Sequence, residues 1–401
     1  MLTRISHFRL CLGLYAVIGI GASTSLGQST VREFHNFLAD WADLGALEQG
    51  QPVVKLLPTQ DKKEVAVCGL VSLQVPAEAF LKSFRESMVR RSNPAILEIG
   101  SFGSEPILDD LQNLTFEDRD IDDLRECGVG NCKVKLSAAM IERLHREVDW
   151  ESTDYKARAI QLLKSMLLEY VRDYLQRGDV ALIRYYDKAN EVRLSDEQQA
   201  LAGSNSSYNF PGTLPQSENQ LSEAGLRIVE NKIVWSKIKY GLKPVIAINH
   251  IMIYIREQKS GPQVLIVSKQ IYANHYFDSS LALTAFGSIT DDSPKSYLFY
   301  ENRSRLDGLT GAFGKMKRGI VEDKAVDSLK AILEKSKINL NASTLSPMDS
   351  ATDHDVGPRL SRWLAGIIRL FLCLLLLTGF VLLLAVSNYN WKANTSAGAR
   401  Q

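Results

Sequence analysis

An excess of charge of either sign is what this chain lacks first. Lysine and arginine number 47, aspartate and glutamate 46, and the formal charge at pH 7 is +1. Phosphate recognition needs a basic surface, so nucleic acid is excluded as the main partner. The familiar catalytic signatures are missing as well. There is no G-x-S-x-G, no H-E-x-x-H and no complete G-x-G-x-x-G. The nearest phosphate-loop lookalike, GLTGAFGK at 308–315, fails on glycine spacing and carries Met316 where Ser or Thr is required. Its glycines read instead as a turn into a last helix, or as room for that helix to approach a sheet. Around Cys127 and Cys132 no second cysteine pair or neighbouring histidine completes a metal site, and haem attachment fails on spacing. No cofactor, no metal and no catalytic residue is therefore expected.

What is present describes a globular body. Apolar residues make up 45% and charged residues 23%, enough for a buried core and too apolar for a disordered chain. A length of 401 residues suits one large domain or two ordinary ones.

The two ends differ from the body. Residues 1–28 open with a basic stretch holding Arg4 and Arg9, continue with apolar Leu10 to Ala22, and reach small residues at Ser25-Leu26-Gly27. That pattern predicts a secretory signal peptide; the alternative is an uncleaved N-terminal anchor. Residues 370–386, LFLCLLLLTGFVLLLAV, carry no charge. At about 1.5 Å per residue they reach about 25 Å, and extension back to Trp363 closes the gap to a ~30 Å hydrocarbon core. Trp363 and Trp391 fall where interfacial aromatics belong. A transmembrane helix is thus expected over 363–386, followed by a short tail at 387–401. Arg359, Arg362 and Arg369 before the span favour a cytoplasmic body, whereas the signal peptide places it outside. Export precedes arrival of the stop-transfer segment, so the expected location is the cell membrane with the body on the extracytoplasmic (periplasmic) side. Residues 341–360, rich in Ser, Asp and Pro, read as a tether.

Cys11 and Cys373 lie in the apolar ends, leaving Cys68, Cys127 and Cys132 to the body. In an oxidising compartment Cys127 and Cys132, with two glycines between them, form a candidate disulfide; the other readings are a redox pair and two unpaired thiols around a helix C-cap.

Within the body, residues 63–75 read as strand. Pro76 opens a helix whose Phe80, Leu81, Phe84 and Met88 share a face. A second helix is predicted near Phe116 to Glu126. A third runs from Tyr155 to Arg177 and is stopped by Gly178. GDVALIRYYD reads as strand, and 202–222 as a loop. From Arg227 several short apolar runs are separated by Lys-Pro, Ser-Gly-Pro and Asp-Asp-Ser-Pro, the punctuation of an antiparallel sheet. A closing helix follows, with Leu309, Phe313, Met316 and Ile320 on its apolar side. The expected class is α+β: a body at 29–340 with an antiparallel sheet packed on a long C-terminal helix, a helical segment at 77–178 after the first strand, and one C-terminal transmembrane helix.

This order resembles the helix-grip architecture of START-like lipid-transfer domains over residues 60–340. The resemblance implies an apolar cavity between sheet and closing helix. The segments SKQIYANHYFDSSLALT (268–284), YENRSRLDGLTGAFGKMKRGIV (300–321) and ECGVGNCKVKL resemble an uncharacterised family of exported bacterial proteins. That likeness implies export and shared ancestry, not a chemistry.

Six histidines exist, and two lie in the β-rich part. His250 alternates with Ile248 and Met252 on one strand face, with Arg256 further along. His275 lies near Tyr272, Tyr276 and Asp278. An imidazole beside a carboxylate suits general-base work near neutral pH; equally, such a histidine serves as a core residue bonded to a neighbour. Arg303 and Arg305, with Asp307, read either as a clamp on a ligand headgroup or as an ion-paired turn. The ligand-binding candidates are therefore His250, Tyr272, His275, Arg303 and Arg305. The expected function is a membrane-anchored, noncatalytic protein that binds or carries an apolar ligand such as a lipid. The alternatives are a hydrolase-like enzyme with a histidine base and an envelope protein-interaction module.

Overall fold

The computed structural model describes residues 44–88, 95–203, 225–240, 243–257, 261–288, 295–311 and 314–344. The chain begins with α1 (Leu44–Glu48), β1 (Val53–Leu56), β2 (Glu64–Leu73), α2 (Ala77–Ser87) and β3 (Ile96–Ser101). Next come α3 (Asp118–Arg125), α4 (Ala138–Glu147), α5 (Tyr155–Arg177), the two-residue strands β4 (Arg184–Tyr185) and β5 (Val192–Arg193), and α6 (Leu194–Gly203). Then β6 (Arg227–Tyr240), β7 (Lys243–Arg256), β8 (Gln263–Ala273), β9 (Phe277–Ser288) and β10 (Ser296–Leu306) precede α7 (Gly314–Thr344).

Eight strands form one antiparallel sheet in the order β1-β2-β10-β9-β8-β7-β6-β3. The last five make a meander, as their short turn-bounded apolar runs require. Side chains alternate between faces, and both faces are covered. Val245, Ala247, Ile251 and Ile253 of β7 enter a core completed by α2 and α7. Ile246 and Ile248 of the same strand meet α5. Further along that second face, Cys68 and Leu70 of β2 pack with Leu47 of α1.

Local sequence explains the covering helices. Pro76 starts α2, whose Phe80 stacks on Phe286 at 4.4 Å between ring centroids. The buried stripe of α7 is Val321, Ala325, Leu329, Ile332 and Leu333, at helical spacing. It packs on β1 and β2, where a Cβ at Gly69 would lie 2.6 Å from Leu333 Cδ1; glycine alone admits the helix at that distance. In α5, Leu163, Leu167, Tyr170, Val171 and Tyr174 are buried, and Gly178 ends the helix with φ 60°.

Several expectations are corrected. The long helix is not C-terminal, since α7 ends at Thr344 in a chain of 401 residues. It lies along one edge of the sheet, over β1 and β2, so the helix-grip reading does not stand. Among the described residues no helix is long and apolar enough to cross a membrane, which removes the transmembrane helix from the described fold. The segment read as a span, 363–386, the tail at 387–401 and the signal peptide, 1–28, lie outside the described residues. The helical segment expected over 77–178 is divided by β3, which pairs with β6; α3 to α5 follow it. Of the tether, residues 341–344 belong to α7 and 345–360 lie outside the described residues. GDVALIRYYD is mainly a 3-10 turn, Gly178–Ala181, before the short β4. Met316, placed inward by periodicity, is 37% exposed, and Phe313 lies outside the described residues. The helix turns its apolar face to the sheet only from Val321 onward.

Candidate functional site

Polar side chains are buried in several clusters in this fold. The first surrounds the turn between β8 and β9. Asn274 Oδ1 accepts from Ile246 N at 2.8 Å, and Asn274 O accepts from Lys135 N at 2.9 Å. Tyr276 turns the corner with φ 62°, the one non-glycine left-handed residue among those described. The segment carrying Lys135 leaves a loop closed by a Cys127–Cys132 disulfide with Cα atoms 4.4 Å apart. Gly130 N and Cys132 N donate to Tyr186 O and Asp187 O, fixing the loop against the β4–β5 hairpin.

Lys135 is 2% exposed, a cost no lysine tolerates unpaired. Its ammonium lies 2.9 Å from Asp278, 3.5 Å from Asp187 and 3.5 Å from Asp307, over the Tyr185 ring. Lys63 adds a contact to Asp278, and Lys188 one to Asp307. Burial pulls the Lys135 pKa down, but Asp278, Asp307 and Asp187 outweigh it and hold it above the ordinary value. Burial likewise pushes Asp278 up, and Lys135 overrides it, so its carboxyl titrates below the usual range. Beside this group, His275 donates through Nε2 to Asp120 at 2.8 Å. Asp120 also accepts from Lys243 at 2.7 Å, and Lys243 reaches Asp123, which pairs with Lys133. Burial raises Asp120, yet His275 and Lys243 together leave it below the ordinary value. Positive and negative groups match, and they join the inserted helices to the sheet.

The candidates read from sequence do not converge. His275 and Tyr272 share the turn end of the sheet. Tyr272 is buried against Tyr185 at 6.3 Å between ring centroids, and burial raises its pKa. The carboxylate partner of His275 is Asp120 of a distant helix, while neighbouring Asp278 is taken by Lys135. His250 faces α5. Its Nε2 donates to Asn231 and its Nδ1 accepts from Tyr174 Oη at 2.8 Å. Burial, helped by Lys269, pushes its pKa down to about 4, so the ring is neutral at pH 7. Arg303 is buried between Glu64 at 2.8 Å and Glu301 at 2.7 Å. Arg305 pairs with Asp61 at 2.6 Å and with Glu197 of α6. All three side chains point to the second face of the sheet.

The second cluster is on the first face, which α7 covers at β1 and β2 and α2 covers at β8. Register places Asn249 beside Gln270, Ser280 beside Ser304, and Ser268 in one row with Ala282 and Asn302. Thr284 follows in the next row, and Ser236 lies across from Ala247. Ser280, Asn302 and Ser304 satisfy one another at 2.8–3.1 Å. Gln270 Oε1, Thr284 Oγ1 and Ser236 Oγ are buried with no hydrogen-bond partner among the described residues. Around them lie Val67, Ile251, Ile266 and Phe286 of the sheet, with Phe80 and Val321 from the helices. The result is a scatter of neutral polar side chains, spread over several rows from β6 to β10, on an otherwise apolar face.

Sequence reading missed these residues because no clean alternation marks them: Ser268-Lys269-Gln270 in β8, Asp278-Ser279-Ser280 in β9 and Glu301 to Arg305 in β10 are polar on both faces. Among the described residues no grouping of His, Cys, Asp and Glu suits a metal ion. No family model, no curated protein and no solved structure matches this chain.

Proposed function

We propose that this protein is a noncatalytic binder of a small ligand with an apolar body, held on the first face of the sheet at one of its buried polar side chains. One observation carries the reading: Gln270 Oε1, Thr284 Oγ1 and Ser236 Oγ stand unpartnered within the main hydrophobic core. A buried polar group left so costs about 1–3 kcal/mol. The register spreads these atoms over separate rows of β6, β8 and β9, so a ligand returns that cost at one of them while filling apolar surroundings, and such sites are mostly apolar with a few placed polar groups. The enzyme alternative draws less support. His275 is 5% exposed and occupied by Asp120, and His250 has both ring nitrogens bonded. The export-type N-terminus and the leucine run at 370–386 support an extracytoplasmic, membrane-side place of action.

The test is to purify the full chain, extract it with organic solvent and identify released small molecules by mass spectrometry. A reproducible compound, diminished in Gln270→Leu or in Thr284→Val, is the expected result. A chain that is repeatedly empty and takes up no hydrophobic probe overturns the proposal.

A further inference from the structure

We infer that the Cys127–Cys132 disulfide is a redox-sensitive latch: a dithiol that opens it frees the end of α3 from the segment carrying Lys135, and so loosens the inserted helices from the turn end of the sheet. Buried charge lies on both sides of the bond. Upstream, α3 presents Asp120 to His275 and Lys243, and Asp123 to Lys243 and Lys133. Downstream, the Lys135 ammonium meets Asp278, Asp187 and Asp307, and its backbone N–H donates to Asn274 O. The disulfide closes the bend between these two arms, with Cα atoms 4.4 Å apart. Inside the ring, Gly128 and Asn131 exchange both backbone hydrogen bonds at 2.9 Å, and Gly130 makes the turn with φ 86°. The ring docks on the β4–β5 hairpin through Gly130 N to Tyr186 O at 2.7 Å and Cys132 N to Asp187 O at 2.9 Å. Asp187 thus holds the ring by its carbonyl and Lys135 by its carboxylate.

The two sulfurs are unequally placed. Cys127 is 4% exposed and belongs to the apolar cluster of Ile121, Leu124 and Leu136. Cys132 is half-buried, between exposed Asn131 and Lys133. Access decides which sulfur is attacked, so an incoming thiolate meets Cys132 Sγ. A mixed disulfide forms there, and the S–S electron pair leaves with Cys127, which takes up a proton. The second thiol of the reductant, deprotonated, then displaces Cys132, which takes up the other proton. Two electrons and two protons pass to the cysteine pair, and the dithiol becomes a disulfide. The opened ring keeps its hydrogen bonds but regains the chain entropy that the bond removed.

The experiment compares the oxidised full chain in mild detergent with the same chain in dithiothreitol at pH 8. Hydrogen exchange is read by mass spectrometry, and peptide mapping scores the bond. The expected result is reduction of the folded chain, with exchange about tenfold or more faster across 128–136 and in α3, and unchanged in α2 and β9. Cys127→Ser combined with Cys132→Ser should exchange like the reduced wild type and ignore dithiothreitol. If that variant does not fold, the wild-type comparison still decides. A bond reduced only in urea, faster exchange confined to 128–131, or collapse of the whole circular dichroism signal on reduction would overturn the latch.

Discussion

Replacing Lys135 by Met tests whether the inserted helices are clamped to the sheet by buried charge. The Lys135 ammonium and Asp278 are 2% and 1% exposed and 2.9 Å apart. Without the lysine, Asp278 keeps only Lys63, at 3.4 Å and itself 31% exposed, and Asp187 loses its ammonium contact. Removing one partner of a buried pair costs about 3–5 kcal/mol, because the charge left behind stays desolvated. That is a large share of the ~5–15 kcal/mol that a folded domain has in hand. The pH dependence follows in sign. In the wild type, Asp278 titrates below its ordinary value, so it contributes stability above the unfolded pKa that is lost as pH falls through the folded one. In the variant, burial is opposed only by the more exposed Lys63 and by the more distant Lys188, so the Asp278 pKa rises; protonation at mildly acidic pH then relieves the penalty. Urea unfolding of the full chain in mild detergent, followed by tryptophan fluorescence, should show the widest gap between wild type and variant at pH 8. The gap should narrow towards pH 5, and Lys135→Met with Asp278→Asn should recover part of it at pH 8. A loss under about 1 kcal/mol, or a gap independent of pH, would refute the argument.

Phe80→Ala should cost about 3–5 kcal/mol, since the ring is fully buried and stacked on Phe286, whereas Met316→Ala should cost under about 0.5 kcal/mol; equal losses on denaturant unfolding would mean that α2 is not part of the core. Non-reducing peptide mapping should recover Cys127 and Cys132 in one linked species, and opening that bond, with its sequence separation of 5, should cost about 2 kcal/mol by loop entropy; free alkylated thiols at both positions would count against it. His250 should remain neutral in an NMR titration until pH nears about 4. As its folded pKa lies below the unfolded one, its share of stability is present above the unfolded value, about 6.5, and is lost as pH falls to about 4. His250→Gln should flatten that slope, and an unchanged slope would assign it elsewhere.

Local pattern was enough for the elements that local chemistry decides. The α5 helix is legible because Leu163, Leu167, Tyr170, Val171 and Tyr174 recur at helical spacing ahead of Gly178, and β6 to β10 because turn residues bound each apolar run. The proximity of Cys127 and Cys132 was legible for the same reason: the intervening glycines let the chain fold back on itself. The short β3 was not, since ILEIGS gains its strand partner only from β6 far along the chain. Nor was the partner of His275, because Asp120 is 155 residues away and nearer Asp278 is drawn to Lys135. Arg303 and Glu64, 239 residues apart, repeat the point. The burial of polar side chains on the first face was the largest omission. A strand reads the same in sequence whether its polar residues meet water or a helix. Only the packing of helices over that face buries Asn249, Gln270, Thr284 and Asn302, because burial belongs to the layer that covers a strand and not to the strand itself.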